Sequence, residues 1–243
     1  QDRVSISIIP YNHQVHMDAD LMSRLNIANE TITVNVPPNS PPGMITSYQT
    51  RNPAAPCARF LDADFETRRL SDANELEPSG SFVDDYFYFN LNGVTNTPYA
   101  QPNDFTYWCG SFYPPVMLYQ NDATTLHDYI DTFIADGGTA IDYGMNWAVG
   151  VLDPSFAPVV AGMVTDGLAP ATAAGHPVAY SNTDVLKYVV LMTDGQNTNH
   201  RDLKDAYKSG PSPVWYSPTL ANGNEFNGFV VEMNGGPPSE RWY

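Results

Sequence analysis

Residues 188–199 read YVVLMTDGQNTN, and the stretch changes character half-way. From 185 to 192 the side chains are apolar except for Lys187. A strand apolar on both faces is expected to be covered on both, the mark of a central parallel strand between helical layers. It ends at Asp194-Gly195. Gly195 permits a sharp turn, and Gln196, Asn197, Thr198 and Asn199 all carry side-chain oxygen. Open α/β sheets bind ligands beyond the carboxyl ends of their strands, which makes Asp194 a candidate ligand group. Taken alone, the residue is better read as a plain turn in which its carboxylate bonds its own backbone.

A second oxygen-bearing corner lies upstream in DGGTAID, residues 136–142. Gly137 and Gly138 form an elbow, and Thr139 stands at a helix start, either as a simple cap or as a partner for Asp194 on one rim. A hydroxyl and a carboxylate side by side suit a hard divalent cation. Two helices flank this corner. In DATTLHDYIDTFIADGG the residues Leu126, Tyr129, Ile130, Phe133 and Ile134 share a face, with Asp122, Thr124 or Thr125 to cap it and Gly137 to stop it. In TAIDYGMNWAVGVLDP the stripe is Ile141, Gly144, Met145, Ala148 and Leu152, ended by Pro154. The small Gly144 and Ala148 allow a close approach to a sheet. Residues 155–180 read as a loose, small-residue connection.

Toward the start, Val4, Ile6 and Ile8 alternate with Ser5 and Ser7, a strand over 4–9. Val15, Met17 and Ala19 also alternate, which predicts a hairpin-like continuation. Residues 37–120 are rich in Pro and aromatics and predict an irregular insertion, relieved by a short exposed strand over 84–93. Residues 200–243 read as loop-rich, with FVVEM (229–233) a short strand.

The 243 residues make one large domain or two small ones, and 42% hydrophobic content suffices for a core. A net charge of −16, with 11 basic residues, repels phosphate backbones and excludes nucleic acid as a partner. The two cysteines, Cys57 and Cys109, are either separate thiols or one disulfide. Their irregular context favours a disulfide formed in an oxidising compartment, worth roughly 4 kcal/mol on the chain-entropy estimate. No run of eighteen apolar residues occurs, and no basic segment leads into an apolar core. The chain opens on Gln1 directly into a strand pattern and closes on SERWY, which predicts a fragment cut at both ends.

His13 and His16 are three apart, a spacing that puts them on opposite faces of a strand, so they read as a polar strand end rather than as metal ligands. DADFETRR (62–69) reads as a solvated acidic loop without the glycine or closing glutamate of a calcium-binding loop. His200 and Asp202 read as surface. A nucleophile elbow, a zincin helix and a Walker loop are all missing from the sequence, and no spacing nominates a pair of catalytic carboxylates. A secreted hydrolase is therefore the least favoured class.

GGTAIDYGMNWAVGVL together with YVVLMTDGQNT resembles the von Willebrand factor A domain, in the form found in TadG-like proteins of bacterial Tad (Flp) pilus systems. DRVSISIIPYNHQV resembles that family's second strand, and DLKDAYKSGPSPVWYSP is similar to its tail. The resemblance implies a three-layer, mostly parallel sheet with helices on both faces, here a single partial domain over 1–243 that lacks its first strand and its last strands. It implies a metal-ion-dependent adhesion site in which Thr139 and Asp194 are two of the ligands. The remaining ligands follow the first strand and have no counterpart here. A divalent cation (Mg2+, or Mn2+ or Ca2+) is implied only where that upstream motif is present. The implied role is non-enzymatic: binding a partner's carboxylate, or other pilus-assembly proteins, at the bacterial envelope, periplasmic or at the cell surface, with an anchoring helix upstream. The competing class is a structural interaction module without a working metal site.

Overall fold

The structure, a computed structural model, describes residues 4–29, 31–33, 47–49, 56–70, 75–79, 109, 113–135, 138–193, 195–198, 214–219 and 225–231. The expected strand over 84–93, the aromatics within it, and His200 and Asp202 lie outside these residues. The chain clusters into two compact units. One comprises Gln1–Glu30, Gln49–Val83 and Tyr107–Asp202; the other comprises Thr31–Tyr48, Asp84–Thr106 and Leu203–Tyr243. Both helices and strands are present, so the chain is mixed α/β.

The first unit begins with β1 (Ile6–Ile8), shorter than the expected 4–9. The predicted hairpin continuation is instead a bend and then helix α1 (Ala19–Arg24), because Asp18 accepts a hydrogen bond from Leu21 N and caps a helix there. That cap outweighs a three-residue alternation. Next come β4 (Ala58–Arg59), α2 (Asp62–Phe65) and β5 (Glu77–Pro78). The supposed acidic loop is thus in part a helical turn, in which the Asp64 carboxylate accepts from Leu61 N at 2.8 Å. β4 and β5 pair antiparallel, and Arg59 reinforces them by pairing with Glu77 at 2.7 Å.

β6 (Met117–Gln120) pairs antiparallel with β1, with Ile6 opposite Gln120 and Ile8 opposite Met117 across a bulge. Tyr119 sits in the bulge at φ 49°, a left-handed backbone unusual for a bulky residue. Two bonds hold it there: its N–H donates to Ser7 Oγ at 3.0 Å and its hydroxyl to Val151 O at 2.6 Å.

Helix α3 (Ala123–Ile130) is capped by Asp122, one of the three candidates. It stops at Ile130 rather than running on to the glycines, and its apolar face is not buried. Ile130, Phe133 and Ile134 are 48%, 42% and 56% exposed. Helix α4 (Ile141–Leu152) matches its expected span, and Pro154 follows it, but its buried face is not the expected stripe. Tyr143, Gly144, Trp147, Gly150 and Val151 are buried, whereas Ile141, Met145, Ala148 and Leu152 are half-buried, because the large rings of Tyr143 and Trp147 take the core. Its glycines do allow close approach, but to side chains rather than to a sheet. A Cβ at Gly144 would stand 2.7 Å from Tyr11 Cγ, and one at Gly150 would stand 2.6 Å from Leu70 Cδ1.

The expected loose connection contains helix α5 (Ala157–Thr165), entered through Pro158 in its first turn, where the missing N–H costs nothing. Val159, Val160 and Met163 face inward, and Arg24 of α1 pairs with Asp166 just past the C-terminus of α5. One core joins these elements. Trp147, Phe156, Leu21, Leu70, Leu76, Val15, Val151 and Val160 are its largest fully buried apolar members. Phe60 packs between Tyr143 and Trp147, with ring centroids 5.2 and 6.2 Å away.

Residues 185–192 belong to no helix and pair with no strand. Lys187 is anchored inward, its Nζ donating to Leu152 O at 2.7 Å and Val178 O at 2.6 Å. Exposure alternates along the segment. Leu186, Tyr188, Val190 and Met192 are 74–81% exposed, whereas Val189 and Leu191 are 40% and 42% exposed. One side chain in two thus points out, the period of an extended chain, and its outer apolar face is bare. Among the described residues the strands pair in twos, three of these pairs are antiparallel, and an isolated bridge between Ile27 and Leu76 is parallel.

β2 (Thr31–Thr33) pairs with β3 (Ser47–Gln49), whose last residue counts with the first unit, and in the second unit β7 (Val214–Thr219) pairs antiparallel with β8 (Glu225–Val231). β8 covers the start of the expected FVVEM strand. No single helix among the described residues is long and apolar enough to cross a membrane.

Candidate functional site

Three segments meet around Thr139. The turn 12–14 lies beneath it, with Ala140 N donating to Asn12 O at 2.7 Å. The loop 195–198 lies beside it. Thr198 N donates to Thr139 O at 2.9 Å, and Thr139 N donates to Thr198 Oγ1 at 2.7 Å. Asn197 Oδ1 accepts from Ile141 N at 2.9 Å and so caps the first turn of α4 from outside. Helix starts leave such N–H groups without intrahelical partners, so the polar run after Gly195 completes the helix that Thr139 introduces.

Packing here is close. A Cβ at Gly138 would stand 2.6 Å from Thr198 Oγ1 and 2.7 Å from His13 Nδ1, so only glycine fits. A Cβ at Gly195 would stand 3.2 Å from Thr139 Oγ1. The loop after the apolar run and the loop before α4 therefore share one lip. Thr139 is half-buried, and 195–198 are exposed. Asp194 itself lies outside the described residues; Thr193 and Gly195 on either side of it do not. The lip offers oxygen donors, from Thr139, Thr198 and Asn197, which is the chemistry a hard cation takes.

A second cluster lies on the other side of Asn12, whose side chain reaches His16. Cys57 and Cys109 form a disulfide, with Cα atoms 5.9 Å apart, as expected. His16 Nδ1 lies 3.6 Å from Cys57 Sγ, and all three residues are buried. Burial lowers the His16 pKa from 6.5 to about 4, so the ring is neutral near pH 7. The histidine spacing led sequence reasoning to set His16 aside. Residues 12–14 bend instead of continuing a strand, so the opposite-face argument does not apply. Its neighbours come from far along the chain: Met17 N donates to Pro56 O, and Val116 N to His16 O, each at 2.9 Å. No local pattern carries that information.

A third feature is an open cleft of about 650 Å3, lined in part by Arg68, Arg69, Asp153 and Tyr180. Tyr180 donates to Asp153 Oδ2 at 2.9 Å, while Arg68 and Lys187 approach its ring at 4.8 and 4.4 Å. Burial by itself would raise the Asp153 pKa, but hydrogen bonds from Ser155 and Tyr180 and the charge of Arg68 outweigh it and hold the carboxyl low. The carboxylate and the two cations thus converge on one ring, and the cluster is a knot that ties α4 to the segments that follow it.

No family model, curated protein or solved structure matches the chain.

Proposed function

We propose that this chain is part of a non-enzymatic envelope protein of the von Willebrand A type, TadG-like, that binds protein partners at the lip around Thr139. The observation that carries the reading is the pairing of the loops 138–141 and 195–198, which sets the neighbour of Asp194 against the Thr139 hydroxyl. Thr139 and Asp194 would hold a divalent cation together with ligands from an upstream first strand, in a three-layer parallel sheet that includes 185–192. The bare outer face of that segment is what a strand or helix of the complete domain would cover. The ion supplies a local reversal of sign, by which a protein of net charge −16 attracts a partner's carboxylate. The disulfide supports a periplasmic or surface location.

Magnesium or manganese should raise the melting temperature of the full-length protein, and Thr139→Ala or Asp194→Ala should abolish the gain. A gain that survives both substitutions removes the adhesion site. A second reading, an interaction module without metal, is favoured by the exposure of Leu186, Tyr188, Val190 and Met192. Under it, partner capture is insensitive to chelator and is lost when Val190 becomes Glu.

A further inference from the structure

The His16 corner can be read atom by atom. Asn12 Oδ1 accepts a hydrogen bond from Gln14 N at 3.0 Å, which identifies that amide atom as the oxygen. The same Oδ1 lies 3.4 Å from His16 Nε2. An oxygen that only accepts requires the proton on Nε2, so Nδ1 carries the bare lone pair. That lone pair points at Cys57 Sγ, 3.6 Å away. While Cys57 is in a disulfide, its sulfur has no proton to give. A buried lone pair then faces a group that cannot donate to it, an arrangement that costs free energy.

Two changes would satisfy it: a thiol proton, or a cation shared between nitrogen and sulfur. The surroundings suit the cation. The donor atoms of His16, Cys57 and Cys109 all lie within 4.8 Å of one another. The far side of the imidazole is held by the Asn12 carbonyl, as the outer nitrogen of metal-bound histidines is commonly held. Tyr113 packs against the ring, with centroids 4.5 Å apart. A Cα separation of 5.9 Å lets the two sulfurs swing to just under about 4 Å apart, the span set by two bonds of about 2.3 Å to one ion.

We propose that reduction of the Cys57–Cys109 disulfide opens a buried site for one thiophilic d10 cation, zinc(II) or copper(I), held by Cys57 Sγ, Cys109 Sγ and His16 Nδ1. The reductant is a dithiol. It gives two electrons and two protons to the disulfide and leaves as a disulfide itself. The two thiols then release their protons as the cation binds. Zinc leaves the pocket neutral beside two thiolates but takes a fourth ligand. Copper(I) is content with three but leaves one negative charge. Thiolate and imidazole donors suit both ions. The site uses none of the oxygen groups of the lip around Thr139, although Asn12 touches both, its backbone O accepting from Ala140 N and its side chain holding His16.

The test uses the whole chain, reduced with a water-soluble phosphine and compared with the oxidised chain. Cobalt(II) serves as the optical probe for the zinc arm, and copper(I) is titrated against a chromophoric chelator. One equivalent per reduced chain and none per oxidised chain is expected in at least one arm, with the melting temperature lost on reduction restored by the bound ion. Cys57→Ser and Cys109→Ser should each abolish binding, and Asn12→Ala should weaken it by about tenfold, the usual effect of losing an outer-shell partner. X-ray absorption on the wild-type bound form should show two sulfurs and one imidazole nitrogen, and needs no variant to fold. Binding in neither arm, equal binding to the oxidised chain, or a first shell without imidazole would each overturn the proposal.

Discussion

Gly150→Ala tests how tightly α4, the helix that Thr139 introduces, is seated. Alanine is the better helix former by about 1 kcal/mol in a helix interior, and on propensity alone the variant should be more stable. The structure opposes this gain. The new methyl would fall inside contact distance of Leu70 Cγ and 2.6 Å from Cδ1, and Leu70 is 1% exposed with no room to retreat. Overpacking of this kind costs about 1–3 kcal/mol, so Gly150→Ala should be net destabilising by about 1 kcal/mol. Leu70→Ala alone leaves a cavity and should cost about 2–5 kcal/mol. In the double variant the methyl added at position 150 enters that cavity, the overlap vanishes and the propensity gain survives. Adding Gly150→Ala to the Leu70→Ala chain should therefore stabilise it, with a coupling energy of about 1–3 kcal/mol between the sites. Urea unfolding followed by tryptophan fluorescence is the assay, since Trp147 is buried in the same helix. Effects that add to within about 0.5 kcal/mol would show that α4 does not press on Leu70.

Three further outcomes are expected. His16 titrates near 4 in the folded chain and near 6.5 when unfolded, so the unfolded chain binds the proton more readily. Its contribution is complete above about pH 6.5 and is lost as the pH falls toward 4, to the extent of about 3 kcal/mol; a His16→Gln chain whose urea midpoint follows pH just as steeply over that window would remove it. Breaking the Cys57–Cys109 link, which spans 52 positions, should cost about 4 kcal/mol in the absence of added metal, and an unchanged midpoint after reduction would contradict this. Leu186→Asp and Val190→Asp should each change stability by no more than about 0.5 kcal/mol, as exposed positions do. A loss of about 2 kcal/mol or more would show that the outer face of 185–192 is covered in solution, for example by a second copy.

Elements set by local signals could be read in advance. The span of α4 follows from its apolar content and from Pro154, though its buried face does not, the start of α3 from Asp122, and the disulfide from two cysteines in irregular surroundings. Where two local signals competed, the weaker one misled. The alternation of Val15, Met17 and Ala19 yields to the Asp18 cap, and the small residues of 157–165 conceal a helix whose inward face is only Val159, Val160 and Met163. The outer face of 185–192 failed for another reason. Apolar composition does not say which elements pack on a segment, and among the described residues this face is bare. At the lip, the oxygen-rich run after Gly195 was legible as a polar corner, but its use of Asn197 and Thr198 to cap α4 and bind Thr139 depends on contacts 56 and 59 positions apart. His16 was the largest omission, because its identity as a neighbour of Cys57 exists only after the chain has folded.

The reciprocal bonds between Thr139 and Thr198 have a mechanical consequence. Each residue both gives and takes, so neither can slide past the other by one position without breaking both bonds at once. The clasp works as a keyed joint. A displacement of the loop 195–198 would be felt through these bonds at the first turn of α4, the helix that carries the buried Tyr143 and Trp147. A ligand that draws the two loops together or pries them apart thus has a lever on the whole first unit.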